Sequence, residues 1–269
     1  GTLTEAKISL SCHVDIANQD NRHVLELAYL NSSFETGVHT PLEEAILAHE
    51  YMDVHAWSKL DEVPFDFERR RLSVLLKHSG ENFLIVKGAP EDVLIHCDRY
   101  EGPDAQAKPW TDQSHTLAQE TLNKLSMDGY RVLGIAWKKV PADVNHATLT
   151  DENNLVFAGY AAFLDPPKKD AGKAIDNLSN RGVAVKILTG DSELVTQHIC
   201  NALDIPVIGV LMGHQIANLD DHALSLQTEA ANLFCRVNPI QKNRVILALR
   251  SRGHVVGFMG DGINDAPAL

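Results

Sequence analysis

Apolar and polar residues follow two different rhythms along this chain, and the change between them falls near Leu155. Ahead of it, residues 21–34 repeat apolar positions at helical spacing (Val24, Leu25, Leu27, Ala28), with Asp20 placed to cap the helix. A second helix opens at Thr40-Pro41-Leu42-Glu43, where Thr40 as N-cap, Pro41 at the first position and Glu43 three residues on make a capping box. The pattern then turns to short β-segments at residues 56–63, 72–76 and 83–86, with turn signals such as Ser79-Gly80 between them. That spacing predicts an antiparallel sheet. Lys87-Gly88-Ala89-Pro90-Glu91 leaves a strand for a helix, residues 111–127 form a helix closed by Gly129, and residues 131–137 a further strand. Residues 102–109 and 141–154 read as polar connectors.

Beyond Leu155 strands and helices alternate strictly. Strands at 155–164, 183–188, 207–211, 233–236 and 254–259 are separated by helices at 169–180, 192–203, 220–232 and 239–252. Such alternation predicts a parallel sheet covered on both faces. In such sheets ligands sit at the carboxyl ends of the strands. Two loops there carry suitable chemistry: Thr189-Gly190-Asp191 and Gly260-Asp261-Gly262-Ile263-Asn264-Asp265. Carboxylates and an amide on glycine-softened backbone suit Mg²⁺ and the phosphate it escorts, and Asp-Gly and Asn-Asp also form ordinary surface turns. Thr189 and the following helix N-terminus suit a phosphoryl oxygen, while Asp191 equally suits an N-cap. Lys242, a cation in the first turn of a helix, sits against the helix dipole and fits an anionic ligand there.

Composition narrows the partners. The chain has 269 residues, 44% hydrophobic and 22% charged, a soluble globular balance. Its formal charge of -12 argues against nucleic acid and against an anionic membrane surface. No apolar stretch reaches the roughly 18–20 residues of a membrane span, and residues 1–7 do not read as a signal peptide. Cys12, Cys97, Cys200 and Cys235 are spread without a C-x-x-C pair, which points to a reducing compartment.

Taken in order, Gly1-Thr2-Leu3-Thr4, Thr189-Gly190-Asp191, Lys242 and Gly260-Asp261-Gly262-Ile263-Asn264-Asp265 resemble the haloacid-dehalogenase-like phosphotransfer core. Within that superfamily the chain resembles the P-type ATPases, whose phosphorylation motif reads Asp-Lys-Thr-Gly-Thr-Leu-Thr. Asp165-Pro166-Pro167-Lys168, Lys87-Gly88-Ala89-Pro90-Glu91 and Gly129-Tyr130-Arg131-Val132-Leu133 are similar to further signatures of that family. The strings around Phe65, Asp165 and Asp261 look most like the bacterial magnesium-importing members. A calcium or other cation pump is the nearest rival, and a soluble phosphatase of the superfamily the more distant one.

The resemblance implies a fold, a chemistry and a set of roles. The fold would be an α/β, doubly wound parallel phosphorylation domain (residues 1–12 and 156–269) with an inserted α+β antiparallel-sheet nucleotide-binding domain (residues 13–155). An aspartate ahead of Gly1 would attack the ATP γ-phosphate to form an aspartyl phosphate. Asp261 would bind Mg²⁺, with Asp265 ordering the loop or lying near the metal. Thr189, Gly190, Asp191, Lys242 and Asn264 would surround the phosphoryl group. In the insert, Phe65 would stack on adenine, against the alternative of a core phenylalanine. Lys87 and Gly88 would floor the adenine pocket or approach the phosphates, against the alternative that Lys87 is a solvated strand-end lysine. Arg70 would lie near the nucleotide, against the alternative that Arg69-Arg70-Arg71 is a solvated face, and Arg131 would reach the polyphosphate. Glu43 would join the pocket, although its capping box already accounts for it. The implied partners are ATP and the parent's transmembrane and actuator domains. The parent would sit in a bacterial inner membrane with this portion facing the cytoplasm. Without the nucleophile, the 269 residues are expected to bind nucleotide and not turn it over.

Overall fold

The computed structural model describes residues 2–37, 39–103 and 105–260, and its contacts separate them into two compact units. An inserted unit comprises Ile8–Leu125 and Tyr130–Leu164. A flanking unit comprises the described parts of Gly1–Lys7, Ser126–Gly129 and Asp165–Leu269.

The inserted unit is built on one mainly antiparallel sheet. Its strands are β1 (Ser9–Val14), β2 (Trp57–Asp66), β3 (Arg71–His78), β4 (Glu81–Gly88), β5 (Cys97–Glu101), β6 (Ala107–Pro109), β7 (Arg131–Val140) and β8 (Leu155–Leu164). They lie in the order β2-β3-β4-β7-β8-β5-β6, and β1 pairs with β8. The β5–β8 pair is parallel and the other pairs are antiparallel. Between β3 and β4, Ser79 (φ 51°) and Gly80 (φ 82°) both take the left-handed region, with His78 opposite Glu81. Positive φ at both positions is what a two-residue hairpin needs, so the Ser-Gly signal found its turn.

Helices α1 (Arg22–Phe34) and α2 (Pro41–His49) cover one face of this sheet, and α3 (Pro90–Leu94) and α4 (Asp112–Met127) cover the other. Along β4 the split is strict: Ile85 packs with Val24, Leu27 and Ile46, while Leu84 and Val86 pack with Val93 and Leu122. Burial on both sides explains why residues 72–76 and 83–86 read as nearly continuous apolar runs without polar alternation. The N-cap of α1 is Asn21, whose side chain accepts from the His23 N–H at 3.0 Å, so the cap lies one residue later than Asp20. The α2 capping box is present as expected, Glu43 accepting from the Thr40 N–H at 2.7 Å.

In the flanking unit, β9 (Ile187–Leu188), β10 (Val210–Met212) and β11 (Leu233–Cys235) form a parallel sheet in the order β10-β11-β9. Helices α5 (Ala171–Ser179) and α6 (Glu193–Ala202) pack on the face carrying Leu233 and Cys235. The opposite face, carrying Leu211 and Phe234, is covered from α7 (Gly213–Asn218), α8 (Asp221–Ala230) and α9 (Pro239–Ser251). The described residues therefore show parallel strands with helices on both faces.

Three expectations from the alternating pattern are corrected, and one helix was missed. The strand over 155–164, expected to open the parallel sheet, is β8 of the antiparallel sheet, paired with β1 and β7. The strand expected over 183–188 is confined to Ile187 and Leu188, because Val183 is exposed and the chain meets the ladder only at residue 187. The short helix α7 was not visible in the pattern, six residues being too few to establish a period. Residues 254–259 are not a strand: the chain leaves α9 through Gly253 (φ 88°), the His254 ring is tied to Glu229 at 2.6 Å, and Val255 is fully exposed.

Candidate functional site

The sequence candidates of the inserted unit gather at one end of the sheet. Arg71 lies opposite Gly88, and Gly88 opposite Gly134, so β3, β4 and β7 share a row there. Phe65 sits where the β2–β3 register shifts between Val63 and Asp66. It is 51% exposed, in edge-to-face contact with Phe67 at 5.3 Å. The core alternative for Phe65 is thereby excluded. An aromatic held open to solvent at a strand end is a ready surface for stacking.

Arg70 closes the β2–β3 connection with φ 49°, its N–H donating to the Asp66 carbonyl at 2.7 Å. Its own carbonyl accepts from the Ala89 N–H at 2.9 Å. That approach demands the glycine of the Lys-Gly-Ala-Pro string, since a Cβ on Gly88 would lie 2.5 Å from the Arg70 oxygen. The Arg70 guanidinium is paired with Asp92 at 2.7 Å. Its neighbours behave differently, for Arg69 and Arg71 both converge on Glu152, at 2.8 and 2.7 Å, and Ser73 Oγ joins them at 2.5 Å. The arginine run is therefore not a solvated face. Arg131 begins β7, three residues before Gly134 and opposite Phe163.

Lys87 points to the α1–α2 side of the sheet and is 2% exposed. Its ammonium lies 2.9 Å from Glu43 Oε1, 3.1 Å from Glu35 Oε2 and 2.9 Å from Ser32 Oγ. Burial alone would raise both carboxyls. The Glu43 carboxyl is nevertheless held below its ordinary range, because Lys87 and both the hydroxyl and N–H of Thr40 oppose burial. The Glu35 carboxyl lacks the Thr40 contacts, and burial leaves it raised. Glu43 thus serves both the capping box and the buried lysine. Glu35 and Ser32 were missed, since nothing in a helix-end Ser-Ser-Phe-Glu string signals a lysine 52 residues further on.

In the flanking unit the carboxyl ends of the parallel strands converge. After β9, the Thr189 Oγ1 accepts from the Asp191 N–H at 3.1 Å and lies 3.2 Å from Asp191 Oδ2. After β11, Arg236 N–H donates to the Asp191 carbonyl at 3.0 Å and Val237 N–H to that of Thr189 at 3.1 Å. Among the described residues, a Cβ on Gly190 would meet only the Val237 carbonyl, at 3.9 Å. Ser192, not Asp191, is the N-cap of α6, so the cap alternative for Asp191 is corrected. Lys242 lies in the first turns of α9, behind an Asn238–Gln241 capping box. The structure also joins two motifs that the sequence left apart: Thr4 Oγ1 donates to Asp165 Oδ2 at 2.7 Å, both residues being buried. Asp261, Asn264 and Asp265 lie outside the described residues.

Among the described residues no helix is long and apolar enough to cross a membrane. A family model described as "P-type ATPase, cytoplasmic domain N" matches residues 6–170. The chain is 41% identical over its whole length to a magnesium-transporting ATPase, P-type 1, of Salmonella typhimurium, and 40% identical to that of Escherichia coli strain K12. It spans about 30% of the length of each. Over 77% of the chain it is 30% identical to a calcium-transporting ATPase of Listeria monocytogenes, of which it spans 24%.

Proposed function

The chain belongs to the P-type ATPase family, and from that premise we propose that it is the nucleotide-binding and part of the phosphorylation machinery of an ATP-driven magnesium transporter. The observation that carries the reading is the strand-end cluster of the inserted unit. There an exposed Phe65, the glycine-dependent approach of Gly88 to Arg70, and the buried Lys87–Glu43 pair occupy one end of one sheet. An open aromatic face and a close-packed backbone turn fit an adenine nucleotide. In this reading Phe65 stacks on the base, Lys87 and Glu43 lie beneath it, and Arg70 and Arg131 supply positive charge for the polyphosphate.

The flanking unit would supply the phosphoryl side. Thr189, Gly190 and Asp191 at the end of β9 and Lys242 in α9 would surround the transferred group, Asn264 would add an amide, and Asp261 with Asp265 would face Mg²⁺. The metal would neutralise charge on the phosphate. The residues of this chain bind, orient and stabilise. The attacking carboxylate is expected ahead of Gly1, and the parent would be a membrane-embedded pump with its transmembrane and actuator domains elsewhere. The choice of magnesium over calcium follows the relatives' names and their identities of 40–41% against 30%.

Two outcomes check this. Titration of ADP or ATP into the 269-residue chain should give saturable binding, and Phe65→Ala should weaken it about tenfold or more, the usual worth of base–aromatic stacking. Equal affinity in the variant would remove Phe65 from the site. Incubation with γ-labelled ATP should leave no acid-stable phosphate on the chain, whereas restoring Asp-Lys-Thr ahead of Gly1 should introduce it. Labelling without the added residues would overturn the assignment of the nucleophile.

A further inference from the structure

If the inserted unit binds adenine nucleotide as read above, its buried lysine has two available roles, one beneath the base and one at the phosphates. Lys87 is bonded in a way that separates them. An ammonium has three N–H donors, and three oxygens stand at hydrogen-bonding distance: Ser32 Oγ at 2.9 Å, Glu43 Oε1 at 2.9 Å and Glu35 Oε2 at 3.1 Å. No donor is left for a ligand. With both carboxylates ionised, the cluster carries one negative charge more than positive.

The two glutamates are not equivalent. Glu43 is held independently by the N–H and hydroxyl of Thr40 at the start of α2. Glu35 stands just past the end of α1, its N–H donating to the Asn31 carbonyl at 3.1 Å, and its side chain is the least covered of the three charged members at 12%. It is the partner that can be removed while the rest of the cluster keeps its anchors.

We propose that Glu35 is a positioning residue of the nucleotide site: by occupying the third donor of Lys87 it keeps the ammonium beneath the base and away from ligand phosphates. Its removal frees one N–H and takes one negative charge from the pocket. Both changes favour phosphate groups and leave the nucleoside contacts alone.

Adenosine and ATP separate the two parts of the ligand, so their affinities are measured side by side for the wild-type chain, Glu35→Ala and Glu35→Gln. Glu35→Ala should bind ATP about fivefold tighter, as removal of one unit charge several ångströms from a phosphate implies, with adenosine affinity unchanged. Glu35→Gln keeps an acceptor for Lys87 and loses only the charge, so its gain should be smaller and in the same direction; it also decides the matter if Glu35→Ala loses adenosine through misfolding. A pH series adds a readout that a merely structural role would not move. Burial raises the Glu35 carboxyl, Glu43 adds to this, and Lys87 and His39 oppose it. Protonation of Glu35 on acidification should therefore tighten ATP binding in the wild type. The difference in slope from Glu35→Gln isolates Glu35, because every other group is common to both chains. ATP affinity equal to or below wild type in both variants, with adenosine binding retained, overturns the proposal. A wild-type chain that binds neither ligand overturns the nucleotide reading itself.

Discussion

Replacing Glu152 by Gln is expected to lower the unfolding free energy of the inserted unit by about 3–5 kcal/mol. Glu152 is fully buried at the end of a polar connector, and its two oxygens accept from Arg69, Arg71 and Ser73. An amide keeps the shape and leaves two guanidinium groups without their counter-charge, Arg71 being 8% exposed. Urea unfolding followed by tryptophan fluorescence measures this directly, because Trp57, Trp110 and Trp137 all lie in the inserted unit. The cost should come chiefly from the stranded charges. The triple variant Arg69→Met, Arg71→Met, Glu152→Leu should therefore be more stable than Glu152→Gln, although it discards every polar contact of the cluster. A triple variant less stable than the single one would show that the hydrogen bonds themselves dominate. Arg69 also donates to the Pro64 carbonyl at 2.6 Å, next to Phe65, so Glu152→Gln should weaken nucleotide binding as well as stability.

Gly159→Ala should be as damaging by a different route. Gly159 sits in β8 with φ 151°, and a Cβ there would lie 2.1 Å from the Val14 carbonyl oxygen and 2.9 Å from Val24 Cγ2. The first of these is backbone and cannot swing aside. Part of the sheet must shift, and a loss of about 3 kcal/mol or more follows from combined backbone strain and overlap. Gly182→Ala is the natural control. Its φ is 77°, with nothing among the described residues within 4 Å of an added Cβ, so only the conformational cost, about 1 kcal/mol, should appear. Similar losses for the two, each measured in the unit that carries it, would mean that the close approach to Val14 is relieved at little cost.

The features legible in the sequence are those whose physics is local. The Thr40–Glu43 capping box spans four residues, the Ser79-Gly80 hairpin two, and both are found where their residue types require. Alternation of strands and helices after Leu155 predicted the parallel pairing of β9, β10 and β11, but residues 155–164 joined the antiparallel sheet instead, residues 254–259 formed no strand, and strand lengths were overestimated where apolar residues such as Val183 stay at the surface. Illegible features join residues far apart. Glu152 meets Arg71 across 81 positions, Thr4 meets Asp165 across 161, and Lys87 meets Glu35 across 52. A charged residue in a polar string looks the same whether water or a buried partner awaits it. For that reason a solvated face stood as the alternative for Arg69-Arg70-Arg71, and Glu35 drew no notice.

The pairing of β1 with β8 also bears on the order in which the protein comes together during synthesis. Ser9 to Val14 are made well before their ladder partners, Tyr160 to Leu164. The hairpins β2–β3 and β3–β4 close over short loops, which cost little chain entropy, while β1 must wait for a separation of about 150 residues. β1 precedes the other strands of this sheet in the chain and is thus among the last of them to dock, completing the sheet. Thr4 and Asp165 meet just outside that pair. Closing β1 onto β8 therefore also brings Thr4, in the first piece of the flanking unit, to Asp165, at the start of its last piece, before most of that unit has been translated.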